Sequence, residues 1–244
     1  VSAVTEDRLL DGRVVIRQLA EGYRAAVDPV LLAAAVRAKP GQKILDVGCG
    51  TGAATFCLAV RLPGLDITGL EVQQTHAVLA AEGVALNKLS NTSIVTGDIL
   101  RPPPDLLNAF DVVFTNPPYG DGNSTAPPNP SLALAHVASE ADVAAWIGAC
   151  LACLKPKGRL VMIHRADRLS DILSALHGRA GDIRVFPIYP KAGQAARRVI
   201  VDAGKGRKSL DTLFPGLILH EEGGRYTAAA EHVLRGAQPM PGAD

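Results

Sequence analysis

Lys43-Ile44-Leu45-Asp46-Val47 runs straight into Gly48-Cys49-Gly50-Thr51-Gly52, and an apolar segment from Ala53 to Leu62 follows at once. No other stretch constrains the chain as much, because this succession reads as strand, glycine turn and helix, the opening half of a βαβ unit. Glycines there let the backbone turn sharply and let a ligand approach the main chain closely. Gly48, Gly50 and Ala53 satisfy the dinucleotide template G-x-G-x-x-G/A, and Glu71 stands where an acid is expected for ribose hydroxyls. On this pattern alone an NAD enzyme is as good a reading as any other nucleotide-binding protein.

The ends of the next strands separate the two. Asp46 precedes the loop, where a pyrophosphate would meet like-charge repulsion but the amino end of a methionine moiety would find an acceptor. Glu71 closes the run Asp66-Ile67-Thr68-Gly69-Leu70, and its carboxylate can take both ribose hydroxyls. Ser93-Ile94-Val95-Thr96 runs into Gly97-Asp98, a second acceptor suited to an adenine amino group. Open parallel sheets bind ligands at the carboxyl ends of their strands, so these segments are expected to meet in one crevice. With Gly48, Cys49, Gly50, Gly52, Val72, Ile99 and Asn116 they make a candidate site for S-adenosylmethionine. Each acid taken singly also reads as a helix N-cap or a solvated loop residue.

A fourth apolar run, Phe110 to Thr115, ends in Asn116-Pro117-Pro118-Tyr119. Two prolines fix φ and remove two backbone donors while leaving carbonyls free to accept hydrogen bonds. A flat amino group offers two N–H donors, which the Asn116 side-chain oxygen and the Pro117 carbonyl can hold together while Tyr119 stacks on the attached ring. Asn116, Pro117 and Tyr119 are therefore the candidate catalytic residues. The alternative is a tight turn closing a strand.

Asp46-Val47-Gly48-Cys49-Gly50-Thr51-Gly52, Glu71, Gly97-Asp98 and Asn116-Pro117-Pro118-Tyr119 together resemble the class I S-adenosylmethionine-dependent methyltransferases. The tetrapeptide resembles that of members acting on exocyclic amines of nucleobases or on protein glutamine amides. Gly22-Tyr23-Arg24 with Asp28, Tyr189-Pro190-Lys191-Ala192-Gly193 and Arg197-Arg198-Val199 extend the resemblance to bacterial transfer RNA adenine-N6 methyltransferases, over about Asp11 to Arg235. The resemblance implies a doubly wound, Rossmann-like α/β fold, with a seven-stranded, mostly parallel sheet ending in an antiparallel pair. It also implies S-adenosyl-L-methionine as cofactor, transfer RNA as partner, and Asp28 as a further cofactor contact. Another nucleic acid, a protein glutamine, or a small molecule methylated on nitrogen or oxygen stays open as substrate. The polar stretch Gly120 to Pro128 matches no role.

At 244 residues and 48% hydrophobic content, the chain can bury one α/β core. A single domain over 1–244 is expected, with an N-terminal cap segment (1–40), a core (41–204) and a C-terminal appendix and tail (205–244). A net charge of +1 advertises no polyanion partner globally, so RNA binding needs a local patch. Lys191, Arg197, Arg198, Lys205, Arg207 and Lys208 are the candidates, against a solvated loop for the Lys205–Lys208 run. Cys49, Cys57, Cys150 and Cys153 lie among apolar neighbours and suit core thiols; a zinc site needs about four ligands, and no metal is expected. The longest apolar run, Val143 to Leu154, is shorter than the about 20 residues that span a bilayer. No charged-then-apolar leader opens the chain, so a soluble cytoplasmic protein is expected.

Asp28-Pro29 before Val30 to Val36 reads as N-cap and first helical proline. Further helices are expected over Ser131 to Leu154, Asp167 to Leu176 and Ala228 to Leu234. Lys155 to Gly158 reads as a turn, Arg159 to Ile163 as a buried strand, and His164 at its end as structural. Ile183 to Tyr189 and Val199 to Ala203, with no helix between them, suit an antiparallel pair. Pro215 to His220 reads as part of the appendix, and the tail from Gln238 as disordered.

Overall fold

The computed structural model describes residues 3–20, 26–118 and 143–242. Tyr119, Gly22-Tyr23-Arg24, the Gly120 to Pro128 stretch and the first half of the expected Ser131 to Leu154 helix lie outside the described residues. An antiparallel hairpin, β1 (Val4–Leu9) and β2 (Val14–Leu19), precedes the βαβ succession. The β-branched runs then form β3 (Lys43–Val47), β4 (Asp66–Glu71), β5 (Thr92–Thr96), β6 (Phe110–Thr115), β7 (Leu154–Arg165), β8 (Ala180–Lys191) and β9 (Arg198–Lys205). In space they order β5-β4-β3-β6-β7-β9-β8. All are parallel except β9, which inserts antiparallel between β7 and β8. The expected doubly wound sheet and its terminal antiparallel pair are both present.

Two short strands change the strand count. β10 (Thr212–Leu213) and β11 (Leu217–His220) both pair in parallel with β8, so the sheet has nine strands rather than seven. Within the expected appendix, Leu217–His220 thus joins the sheet. The expected turn at Lys155 to Gly158 is a bulge inside β7: the partner of Phe110 is Leu154, but that of Val112 is Arg159, and Lys157 takes φ 64° to absorb the excess.

Period-2 alternation decides which side chain meets which layer. Ile44, Ile67, Val112, Phe114, Val161, Ile163 and Ile200 pack on one face with α1 (Asp28–Ala35) and α2 (Ala53–Arg61). Their strand neighbours Leu45, Leu70, Val113, Leu160, Met162 and Val201 pack on the other with α4 (Val143–Cys153) and α5 (Leu169–Leu176). α3 (Gln74–Leu86) joins the first layer, where Gly83 gives the Phe56 ring the space a Cβ would take. From Pro29 to Ala35, α1 is buried on all sides, as expected of a helix without a polar face. Arg61 closes its end by donating to the carbonyls of Ala33 and Val36.

The tail is not disordered where it is described. Met240 is 1% exposed, and its N–H donates to Ala34 O at 2.9 Å, placing the chain beyond α6 (Ala228–Leu234) against α1. Burying one such side chain contributes roughly 1.5–3 kcal/mol toward holding the Pro/Gly-rich segment around it in place.

Candidate functional site

Parallel pairing in this register brings the carboxyl ends of β3, β4, β5 and β6 to one edge: Val47 lies beside Leu70 and Thr115, and Glu71 beside Thr96. The glycine loop continues that ladder for two residues, Gly48 and Cys49 both donating to Leu70 O. Gly48, Gly50 and Gly52 all take positive φ, at 69°, 57° and 91°, which other residues adopt only with strain. At Gly52 a side chain is excluded outright, since a Cβ would lie 2.3 Å from the Phe56 ring. At Gly50 the same test meets nothing within 4 Å, so the loop presents bare backbone to the crevice.

Glu71 is 5% exposed, and both its oxygens are pinned by backbone donors, Oε2 by Gly50 N at 2.9 Å and Oε1 by Gln73 N at 2.8 Å. A carboxylate has about four lone-pair directions, so ribose hydroxyls can be accepted without releasing the loop. Val72 beside it is 56% exposed, an apolar surface against which an adenine ring can lie. Asp98 uses Oδ1 to accept from Leu100 N at 2.9 Å, closing its own turn, and Ile99 is buried beneath it at 4%. This donor and acceptor set fits S-adenosylmethionine: backbone along the loop, a fixed carboxylate, an exposed apolar side chain and a further acid in sequence along one sheet edge.

Asp46 is 2% exposed, and Thr55 Oγ donates to its Oδ2 at 2.6 Å. Burial pushes this carboxyl up to about 7, with Thr55 opposing and the Glu71 charge adding to the rise. Among the described residues no ammonium or guanidinium pairs with Asp46 or Glu71. Cys49 is also buried, and burial followed by the charges of Asp46 and Glu71 pushes its thiol well up, so it packs rather than reacts. Cys57, Cys150 and Cys153 are buried core thiols as well.

Asn116 and Pro117 follow β6 directly, one strand over from the glycine loop. Tyr119 lies outside the described residues. Asp28 is not the N-cap it was expected to be: Val27 holds that position, and the Asp28 carboxylate instead accepts from Arg198 Nε at 2.9 Å. That contact ties α1 to the start of β9 at the same sheet edge. His164 accepts from Arg165 N at 2.9 Å through Nδ1, and burial lowers it to about 4.

The six basic candidates do not form one patch. Arg197 and Arg198 lead into β9 and Lys191 ends β8, all at the crevice edge, whereas Lys205 ends β9 at the opposite edge and Arg207 and Lys208 follow it. Lys205 Nζ donates to Leu154 O, and Arg207 pairs with Asp182. Three contributors carried too little sequence signal to be singled out. Thr55 is a buried hydroxyl in an apolar helix, Thr115 closes an otherwise apolar strand at 0% exposure, and Trp146 is the chain's one tryptophan.

The sequence profile described as Methyltransferase small domain matches residues 26–183, from the start of α1 to the beginning of β8. The chain belongs to the methyltransferase small domain family. This S-adenosylmethionine-dependent methyltransferase is 27% identical over 226 residues to a Porphyromonas gingivalis protein named tRNA1(Val) (adenine(37)-N6)-methyltransferase, a match covering 88% of each chain. It is 37% identical over 82 residues to the release factor glutamine methyltransferase of Aliivibrio fischeri, a match covering 34% of this chain and 28% of that protein. A crystal structure from Agrobacterium tumefaciens, described as a predicted O-methyltransferase, superposes with TM-score 0.73 at 26% identity, covering 87% of this methyltransferase and 97% of that chain. Among the described residues no helix is long and apolar enough to cross a membrane, and no three His, Cys, Asp or Glu side chains gather as a metal site would need.

Proposed function

We propose that this methyltransferase transfers a methyl group to the exocyclic amino nitrogen of an adenine in transfer RNA, in the cytoplasm. One observation carries the reading: Asn116 and Pro117 follow the last β6 residue, whose neighbour in the sheet is the last β3 residue before the glycine loop. This neighbourhood supports Asn116 and Pro117 as two amine acceptors beside the loop suited to the methyl donor. The naming of the 27% identical relative that matches 88% of the chain supports the same substrate class.

S-adenosylmethionine, when bound, supplies an electrophilic methyl on sulfur. Glu71 and Asp98 would hold its nucleoside part, and Asp46, ionised by contact with the ammonium, would hold its amino acid part. An adenine amino nitrogen is a poor nucleophile because its lone pair is delocalised into the ring. By accepting both N–H hydrogens, Asn116 Oδ1 and Pro117 O favour the pyramidal nitrogen that attacks. They hold it more tightly as positive charge grows in the transition state. Tyr119 supplies a stacking face for a base that is already unpaired. No strong base is needed, since the nitrogen becomes acidic once methylated and gives its extra proton to water.

The test is mass spectrometry of nucleosides from bacterial transfer RNA incubated with the protein and methyl-labelled cofactor. N6-methyladenosine is expected, with Asn116→Ala lowering its rate of appearance by about 10²-fold while cofactor affinity holds. Label recovered on a protein glutamine, on an oxygen, or nowhere in RNA would overturn the reading; the first is the chemistry named for the Aliivibrio fischeri relative.

A further inference from the structure

We propose that Thr115 is a positioning residue: its hydroxyl, clamped between Trp146 and Val47, fixes the Asn116 acceptor against the glycine loop. The inference rests on the reading of Asn116 given above.

The β3–β6 ladder ends at the pair Val47 and Thr115, after which one chain enters the glycine loop and the other the Asn116-Pro117-Pro118 segment. One hydroxyl spans that divergence. Thr115 Oγ donates to Val47 O at 2.8 Å and accepts from Trp146 Nε1 at 3.1 Å. The single O–H is committed to Val47, and an indole N–H can only donate, so the direction of both bonds is fixed. Val47 O belongs to the peptide that opens Gly48. The rim of the same indole, at Cζ2 and Cη2, lies 3.5 and 3.6 Å from where a Gly48 Cβ would be. Trp146 therefore lies beside Gly48 with its ring and reaches the end of β6, at Thr115, through its N–H.

Thr115 is fully buried and Trp146 is 8% exposed, so water does not compete for these bonds. Valine has the same shape and suits a strand, but it would leave the buried Trp146 indole N–H without its acceptor and Val47 O without its donor. A threonine placed at the last ladder pair, directly before the acceptor residue, also fixes the separation of the glycine loop from the segment that carries Asn116. Reacting groups must be held closely, and a displacement of about 1 Å can cost on the order of 10²-fold in rate.

The experiment compares Thr115→Val, Thr115→Ser and Trp146→Phe with the wild type. Two readouts are the ¹⁵N–¹H resonances of the Asn116 side-chain amide, located by its loss in Asn116→Ala, and of the single indole. The third is the single-turnover rate at saturating cofactor. Thr115→Val should move both resonances and slow transfer by about tenfold, with cofactor Kd within about threefold of wild type. Thr115→Ser should restore both, and Trp146→Phe, which keeps the Val47 bond, should give an intermediate rate. An Asn116 amide unmoved in Thr115→Val, or a wild-type rate there, overturns the proposal. If the wild type methylates no adenine, the substrate reading falls, and the amide resonance still decides the positioning role.

Discussion

Asp46 and Asp202 lie in the same sheet and are equally buried, each 2% exposed, yet their surroundings are opposite. Asp202 accepts from Arg159 Nε at 2.6 Å and from Arg37 at 3.1 Å, while Arg159 also reaches Asp182 at 2.7 Å. Burial raises the Asp202 carboxyl and the guanidinium of Arg159 opposes it; burial lowers Arg159, but its two acids hold it above the ordinary value. Asp46 has the Thr55 hydroxyl and a like charge from Glu71 instead. The acid inside the scaffold is neutralised by the protein itself, whereas the acid beside the glycine loop has no cation partner among the described residues. That contrast is what our proposed role for Asp46, meeting a ligand's cation, rests on.

The largest expected effect would break the comparison if it came out equal at the two sites. Asp202→Asn should lower unfolding free energy by about 3 kcal/mol, because Arg159 and Arg37 lose a buried counter-charge. Asp46→Asn should change it little at low pH. The sign there follows from the raised value: the Asp46 carboxyl's contribution is fully present below the ordinary carboxyl range and is lost as the pH rises through about 7. Asp46→Asn should therefore gain stability relative to wild type between about pH 4 and 7. Denaturant titrations of both variants at pH 5 and pH 8 measure this, and an Asp46→Asn penalty that grows with pH would show a hidden cation partner.

Cofactor affinity sharpens the same contrast from the other side. Asp46→Asn should weaken S-adenosylmethionine binding by up to about 10²-fold, the loss of one charge-assisted hydrogen bond. In the wild type the ammonium must displace a proton from Asp46, so affinity should rise severalfold from pH 6 to about pH 7.5, above which the ligand's own α-amino group begins to lose its charge. Calorimetry in buffers of different ionisation enthalpy should detect that proton's release. Binding that is flat with pH would mean that Asp46 is already ionised, or that it does not meet the ligand.

Strand ends and glycines were legible because each has a local cause. Lys43–Val47 and Phe110–Thr115 appear with the bounds their β-branched runs suggest, and Glu71 and Asp98 fall at strand ends as spacing implies. What was not legible depends on distant partners. Composition around Met240 favours disorder, but its N–H finds Ala34, some 200 residues earlier in the chain. Asp28-Pro29 carries a capping signature, yet Arg198 draws the carboxylate away from the helix end. Thr55, Thr115 and Trp146 form a polar link between apolar elements, which no periodicity announces.

The smallest expected effect concerns cations, and it compares the two sheet edges directly. Lys191, Arg197 and Arg198 share the crevice edge, with Arg198 engaged by Asp28, while Lys205 and Arg207 at the opposite edge are tied to Leu154 O and Asp182. On the proposed reading, the phosphates flanking a base that enters the crevice would lie closer to the first group than to the second. Arg197 is exposed and Lys208 is exposed, so charge reversal at either should leave folding intact. Arg197→Glu should weaken RNA binding and reduce the slope of log K against log salt by about one, the signature of one lost phosphate contact. Lys208→Glu should leave both unchanged, with cofactor affinity untouched in each variant. Equal slopes for the two would mean that phosphates do not follow the crevice edge; a flattened slope for Lys208→Glu alone would move the RNA track to the far edge and separate it from the acceptors after β6.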